Sequence, residues 1–197
     1  MTKNYVLANT FTFFAFILFF SISDFIFFQF TREISLNYGF DANLIYMAHG
    51  VRVLSLLVFG IAVIPGLILG QFTSGIFLKC QADLNIYEFL NFCSLDPKTL
   101  IILLIGSILT IISIVLSYYF LKLNLIKNLN EISIFKILSF IFLSSILNSI
   151  LNNLFFGLIY AWNLALNTAL YVIGDSIGAF ALFFLIKLFY KIKFYFK

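Results

Sequence analysis

From Thr99 to Leu121 the chain runs 23 residues, "TLIILLIGSILTIISIVLSYYFL", without a charge or a proline. As an α-helix such a run extends about 35 Å at 1.5 Å per residue, enough to cross a hydrocarbon layer of about 30 Å. A water-soluble fold has nowhere to hide it, and three further runs of the same kind share the chain. Composition agrees. Of the 197 residues 63% are hydrophobic and only 10% charged, where soluble domains carry about 25% charged residues. The solvent of this protein is lipid, and the fold class it dictates is an all-α, polytopic bundle of transmembrane helices.

The apolar runs place spans at about 10–30, 99–121, 134–155 and 170–189. The stretch from Leu44 to Leu78 is too long for one crossing. Gly60 and the "IPG" at 64–66 divide it into spans of about 44–59 and 61–78 joined by a tight turn, making six helices in one domain over 1–197. The N-terminal "MTKNYVLANTFTFFAFILFFSIS" lacks a small-residue cleavage site, and its apolar run continues to Phe30, so the first span is expected to be retained. With both termini cytoplasmic, the inner side receives Lys3, Lys122, Lys127, Lys136, Lys187, Lys191, Lys193 and Lys197. The outer loops receive Arg32, Lys79 and Lys98. Eight basic residues against three fit the positive-inside rule for a cell (inner) membrane protein. The net charge of +4 is thus an orientation signal, and no basic run interleaved with aromatics points to nucleic acid. Cys80 and Cys93 fall in one outer loop, where either a disulfide or two half-buried thiols fits.

Four ionisable residues interrupt the spans: Asp24, His49, Arg52 and Asp175. A charge at a helix centre costs about 2.5–3.5 kcal/mol on insertion scales, so such residues face the bundle interior and find partners. Counted inward from the outer ends of their spans, all four lie roughly 8–12 Å deep, in one layer on three helices. His49 and Arg52, three apart in "YMAHGVRVLSLLVFG", share a helix face. Two readings follow. Arg52 forms a salt bridge with Asp175 or Asp24 that fixes helix register, or His49, Arg52, Asp175, Asp24 and Asn163 line an outward-facing polar pocket for a small ligand. An imidazole near two carboxylates also offers a proton-responsive group.

The two GxxxG sequences, "GLILG" (66–70) and "GDSIG" (174–178), read as close-packing faces, the second enclosing Asp175. Ser144, Ser145, Asn148, Asn152, Asn153, Asn163 and Asn167 read as interhelical glue, and Trp162 as an interfacial anchor. The residues present no nucleophile–base pair, no phosphate loop, no cofactor motif and no set of metal ligands at ligand spacing, so no enzymatic role is expected.

Two blocks of this sequence resemble a known family. "AHGVRVLSLLVFGIAVIPGLILGQF" is similar to the early hairpin of the membrane-associated sensor domain of the first type (the MASE family). "WNLALNTALYVIGDSIGAFALFF" is similar to that family's closing segment. The matching positions are Gly50, Gly60, Pro65, Gly66, Gly70, Trp162, Gly174, Asp175 and Gly178, in two separated blocks of the chain. The resemblance implies a multi-helix sensory module, usually fused to a histidine kinase or a diguanylate cyclase. This chain has fewer spans than that family's usual domain and reaches Lys197 without an output domain, so a separate signalling kinase or cyclase is the expected partner. A second expectation is the substrate-binding component of an energy-coupling-factor vitamin transporter, another six-helix class, which would dock on transporter subunits. Its usual AxxxA pattern is absent from "ANTFTFFAFILFF". A third is a structural membrane subunit that holds no ligand.

Overall fold

The computed structural model describes residues 2–28, 45–82, 95–123, 133–160 and 164–195, and all regular structure among them is helical. Helix α1 (Thr2–Ile22) runs on into a π-helical turn, Ser23–Phe28. Helix α2 (Met47–Phe59) is followed by a 3-10 turn, Gly60–Val63, and by α3 (Ile64–Ala82). Then come α4 (Pro97–Phe120), α5 (Ile134–Tyr160) and α6 (Leu164–Tyr195). Five stretches among the described residues are long and apolar enough to cross a membrane: Asn4–Ile26, Met47–Lys79, Pro97–Phe120, Ile134–Ile159 and Asn167–Lys187. Those lengths and hydropathies are those of a multi-pass membrane protein.

The 33-residue stretch Met47–Lys79 is not one straight rod. Arg52 donates to Gln71 Oε1 at 2.7 Å, whereas 19 residues of straight helix would hold the two about 28 Å apart. The chain therefore doubles back at the 3-10 turn. Gly60 makes this possible with φ 67°, a left-handed value that a Cβ would oppose. Pro65 lies in the first turn of α3, where its missing N–H deprives no helical carbonyl of a partner. The turn leaves backbone groups open, and lipid cannot close them. Asn9 of α1 does: its Nδ2 donates to Ala62 O at 2.9 Å and its Oδ1 accepts from Gly66 N–H at 2.7 Å. One carboxamide thus bridges the carbonyl and amide that an unbroken helix would have paired directly. This also explains why α1 begins at Thr2 and its apolar span at Asn4, well before the expected Thr10. Asn9 reads as a break in the apolar run, but its polar atoms are satisfied inside the bundle.

Neighbouring contacts close a ring in the order α1–α3–α4–α5–α6–α2 and back to α1. Helix α2, the shortest, leans inward and also touches α4 and α5. It carries more of the large, fully buried side chains than any other helix among the described residues, with Val53, Leu56 and Leu57 at 0% exposure. Around it the core is completed by Phe16 and Phe20 of α1, Leu67 of α3, Ile111 and Ile114 of α4, Phe140 and Ile141 of α5, and Leu182 of α6. Outward faces are lined with exposed Phe, Leu and Ile, as a lipid-facing surface requires. Buried serines close their own hydroxyls locally: Ser74, Ser107, Ser117 and Ser145 each donate to the carbonyl four residues earlier.

Both GxxxG faces pack closely. The first faces α1, where a Cβ on Gly66 would stand 2.5 Å from Asn9 O and one on Gly70 would stand 3.0 Å from the Phe16 side chain. The second seats the start of α2 on α6. Tyr46 N–H donates to Gly174 O at 3.0 Å, and a Cβ on Gly178 would lie 2.2 Å from Tyr46 C. One turn on, a Cβ at Gly50 would meet Ala179 Cα at 2.9 Å.

Gly178→Ala is expected to destabilise the protein at the upper end of, or beyond, the roughly 1–3 kcal/mol usual for overpacking, because backbone rather than a flexible side chain is in the way. Gly75→Ala meets only the Leu103 side chain at 3.1 Å and should be far milder. Thermal unfolding of the two variants in detergent checks the order.

Candidate functional site

The seating of α2 on α6 brings the ionisable residues together. His49 stands three residues after Tyr46 and Asp175 one after Gly174, so the backbone bond between Tyr46 and Gly174 sets both side chains at one level. His49 Nδ1 lies 3.4 Å from Asp175 Oδ2. His49 is 0% exposed, Arg52 1% and Asp175 2%. The second Asp175 contact comes from α5, where Asn148 Nδ2 donates to Oδ2 at 2.6 Å.

Arg52 does not follow the expected pairing with a carboxylate. Its Nη2 donates to Gln71 Oε1 at 2.7 Å and to the Tyr46 hydroxyl at 3.1 Å, and its Nη1 lies 3.3 Å from His49 Nδ1. The guanidinium carbon also sits 5.3 Å from the Phe16 ring centroid and 5.1 Å from that of Tyr46. Arg52 is one helical turn beyond His49, which points it toward α3 and α1 and leaves the imidazole between it and Asp175. A buried guanidinium is thus held by two neutral oxygens, one ring nitrogen and two aromatic faces, a set that suits its planar, weakly hydrated charge. Its Nε has no hydrogen-bond partner among the described residues.

On the far side of the imidazole, Nε2 meets Ser144 Oγ at 3.0 Å and Ser145 Oγ at 3.3 Å. From Asp175 the network continues through Asn148 to Asn152, whose Nδ2 donates to Asn148 Oδ1 at 2.8 Å and to Thr110 Oγ1 of α4 at 3.0 Å. One connected polar system therefore touches α2, α3, α4, α5 and α6, with α1 supplying the Phe16 ring. Asp24 is half-buried in the π-helical turn, next to the point where Ser23 Oγ accepts Met47 N–H at 2.8 Å. Asn163, Trp162 and Cys93 lie outside the described residues, and with them the Cys80–Cys93 pairing.

Reading the sequence alone singles out His49, Arg52, Asp175 and the serine–asparagine face, but passes over Tyr46, Gln71 and Phe16. Gln71 had a usable signal. It is the carboxamide in the apolar first half of α3 and stands eight residues after Val63, as Arg52 stands eight before Gly60, so folding at the 3-10 turn brings them level. Among the described residues no group of three His, Cys, Asp or Glu side chains is placed to hold a metal ion. No protein-family model, curated protein or solved structure matches this chain.

Replacing Gln71 by Leu removes the shortest hydrogen bond to the buried guanidinium. The expected loss is about 1.5–3 kcal/mol, the range for bonds to a charged group, read as a lowered thermal midpoint. Gln71→Glu supplies a carboxylate at the same reach and should hold the midpoint near or above that of the unsubstituted protein.

Proposed function

We propose that this chain is a sensor-like membrane domain whose intramembrane polar cluster takes up a small ligand from the outer side and passes the change to a separate signalling protein, a kinase or a cyclase. The observation that carries this reading is the state of Arg52. A permanent cation is fully buried among neutral acceptors, with Nε unpaired among the described residues. An anionic or strongly accepting group offers Arg52 more than Gln71 and Tyr46 do. Because those two residues belong to α3 and the start of α2, exchanging them for a ligand shifts helix against helix. His49 and Asp175 complete the seat, with Asp24 toward its outer rim; Asn163, also expected to contribute, lies outside the described residues. The similarity of the α2–α3 and α6 segments to the sensor-domain family supports the same role.

The topology that goes with it counts the α2–α3 hairpin as two crossings. Six spans then return the C-terminus to the side of the N-terminus, and the lysine bias places that side in the cytoplasm of a cell (inner) membrane. A fluorescent protein fused after Lys197 should fluoresce in cells, and alkaline phosphatase fused there should stay inactive; the opposite pair of results overturns this orientation.

The ligand reading is tested by thermal-shift screening of the purified protein against small anionic metabolites. The expected result is a stabilising hit that disappears in Arg52→Ala and in Asp175→Asn. A hit retained in a correctly inserted Arg52→Ala protein, or no hit at all, means that the cluster only locks the bundle.

A further inference from the structure

We infer that His49 and Asp175 form a proton-binding site, and that loss or gain of its proton decides whether His49 is bonded to Arg52 or to α6. Ser144 Oγ and Ser145 Oγ both donate to Ile141 O, at 3.0 and 2.8 Å. A hydroxyl has one hydrogen, so toward His49 each serine is an acceptor and Nε2 must carry the donated hydrogen. A neutral imidazole then has a bare lone pair at Nδ1. That lone pair faces Arg52 Nη1 at 3.3 Å, which donates to it, and Asp175 Oδ2 at 3.4 Å. Asp175 Oδ2 already accepts from Asn148. The single Nδ1 lone pair is taken by the Nη1 hydrogen, so a charged Oδ2 would face a second acceptor that offers it no donor, which a dry interior disfavours; the carboxyl of Asp175 carries the hydrogen instead. The pair therefore holds one proton beyond that of a neutral imidazole facing a carboxylate.

Removing it has a defined result. The carboxylate of Asp175 then requires Nδ1–H as its donor, so the remaining ring hydrogen moves from Nε2 to Nδ1. Nε2 becomes an acceptor and draws one serine hydroxyl away from Ile141 O. Nη1 of Arg52 loses Nδ1 as its acceptor. Protonated, the cluster ties His49 to Arg52 within α2; deprotonated, it ties His49 to Asp175 across α2 and α6. The other groups around the pair are Arg52 from α2, Tyr46 from the residue that precedes it, Gln71 from α3, and Ser144, Ser145 and Asn148 from α5. Thr110 of α4 reaches it through Asn152, and Asp24 lies half-buried in the turn after α1. Arg52 keeps its charge throughout.

A route for the proton is built beside the pair. Ser145, Ser149 and Asn153 recur at every fourth residue of α5 and share one face. Asn167 lies eight residues before Asp175, two helical turns back on that side of α6. Ser149 Oγ, Asn153 Oδ1 and Asn167 Oδ1 are buried, and none has a hydrogen-bond partner among the described residues. By the rise along each helix, Asn167 and Asn153 lie nearer the α5–α6 connection and Ser149 nearer the level of Asp175, and each calls for a partner such as water.

For function this rests on the sensor reading above, since it names the proton as a stimulus. Its test needs no ligand. His49 is the chain's only histidine, so protein labelled with 15N-histidine in lipid nanodiscs gives one pair of imidazole signals. Between about pH 5 and pH 9 these are expected to move from an Nε2-protonated to an Nδ1-protonated ring. In Asp175→Asn the new amide donates to Nδ1 and the Nε2–H form should persist throughout. In Asn153→Leu the transition should remain while hydrogen–deuterium exchange of the ring N–H slows. A wild-type ring locked in one form across that range overturns the proposal, as does an Asp175→Asn ring that titrates like wild type; unchanged exchange in Asn153→Leu overturns the route. A titrating His49 in a protein with no thermal response to metabolites leaves the proton site standing and removes the ligand pocket.

Discussion

A single backbone contact organises the interior: Tyr46 at the head of α2 laid on Gly174 and Gly178 of α6. No side chain separates the two backbones there. From that seat, the pitch of each helix delivers His49 to Asp175 and sends Arg52 a turn further, toward α3 and α1. The polar cluster is therefore a consequence of glycine spacing on one helix and the starting residue of another. In lipid, where apolar side chains gain little by leaving one apolar surface for another, such close backbone contact and the hydrogen bonds it permits are the main forces available to hold helices together.

The same economy governs the other polar groups. Asn9 replaces a missing helical hydrogen bond at the α2–α3 turn, serines close on their own carbonyls, and Asn148 and Asn152 carry the Asp175 carboxylate's contacts across to Thr110. Closure is incomplete at Ser149, Asn153 and Asn167, and Arg52 stands further apart, since its charge is met by dipoles and ring faces and its Nε has no partner among the described residues. It is the group in the bundle with most to gain from something that is not there permanently, and it is linked through His49 to the other ionisable residue of the interior.

Hydropathy alone carries the helical membrane class, because uninterrupted apolar runs have few other structures open to them. Depth, counted along each helix, carries the layer shared by His49, Arg52 and Asp175, since rise per residue is fixed within a helix. What the residues could not convey is azimuth. Depth says that Arg52 and Asp175 are level, but only the rotation of α2 on its glycine seat says that the imidazole comes between them and that Gln71 takes the guanidinium. The start of α1 was obscured for a related reason. A polar Asn9 reads as the edge of a span until the turn it satisfies, 53 residues away, is placed beside it.

That clasp by Asn9 bears on how the protein enters the bilayer. A helical hairpin is usually regarded as able to insert alone, because its backbone closes its own hydrogen bonds. The α2–α3 hairpin does not fit that description, since the carbonyl of Ala62 and the amide of Gly66 are completed from outside it. Synthesis from the N-terminus delivers α1 first, so the missing partner is already in the membrane when the turn arrives. The order of the helices along the chain is then part of the folding mechanism, and a circular permutant with α1 moved to the end would have to bury an open turn before its cover existed.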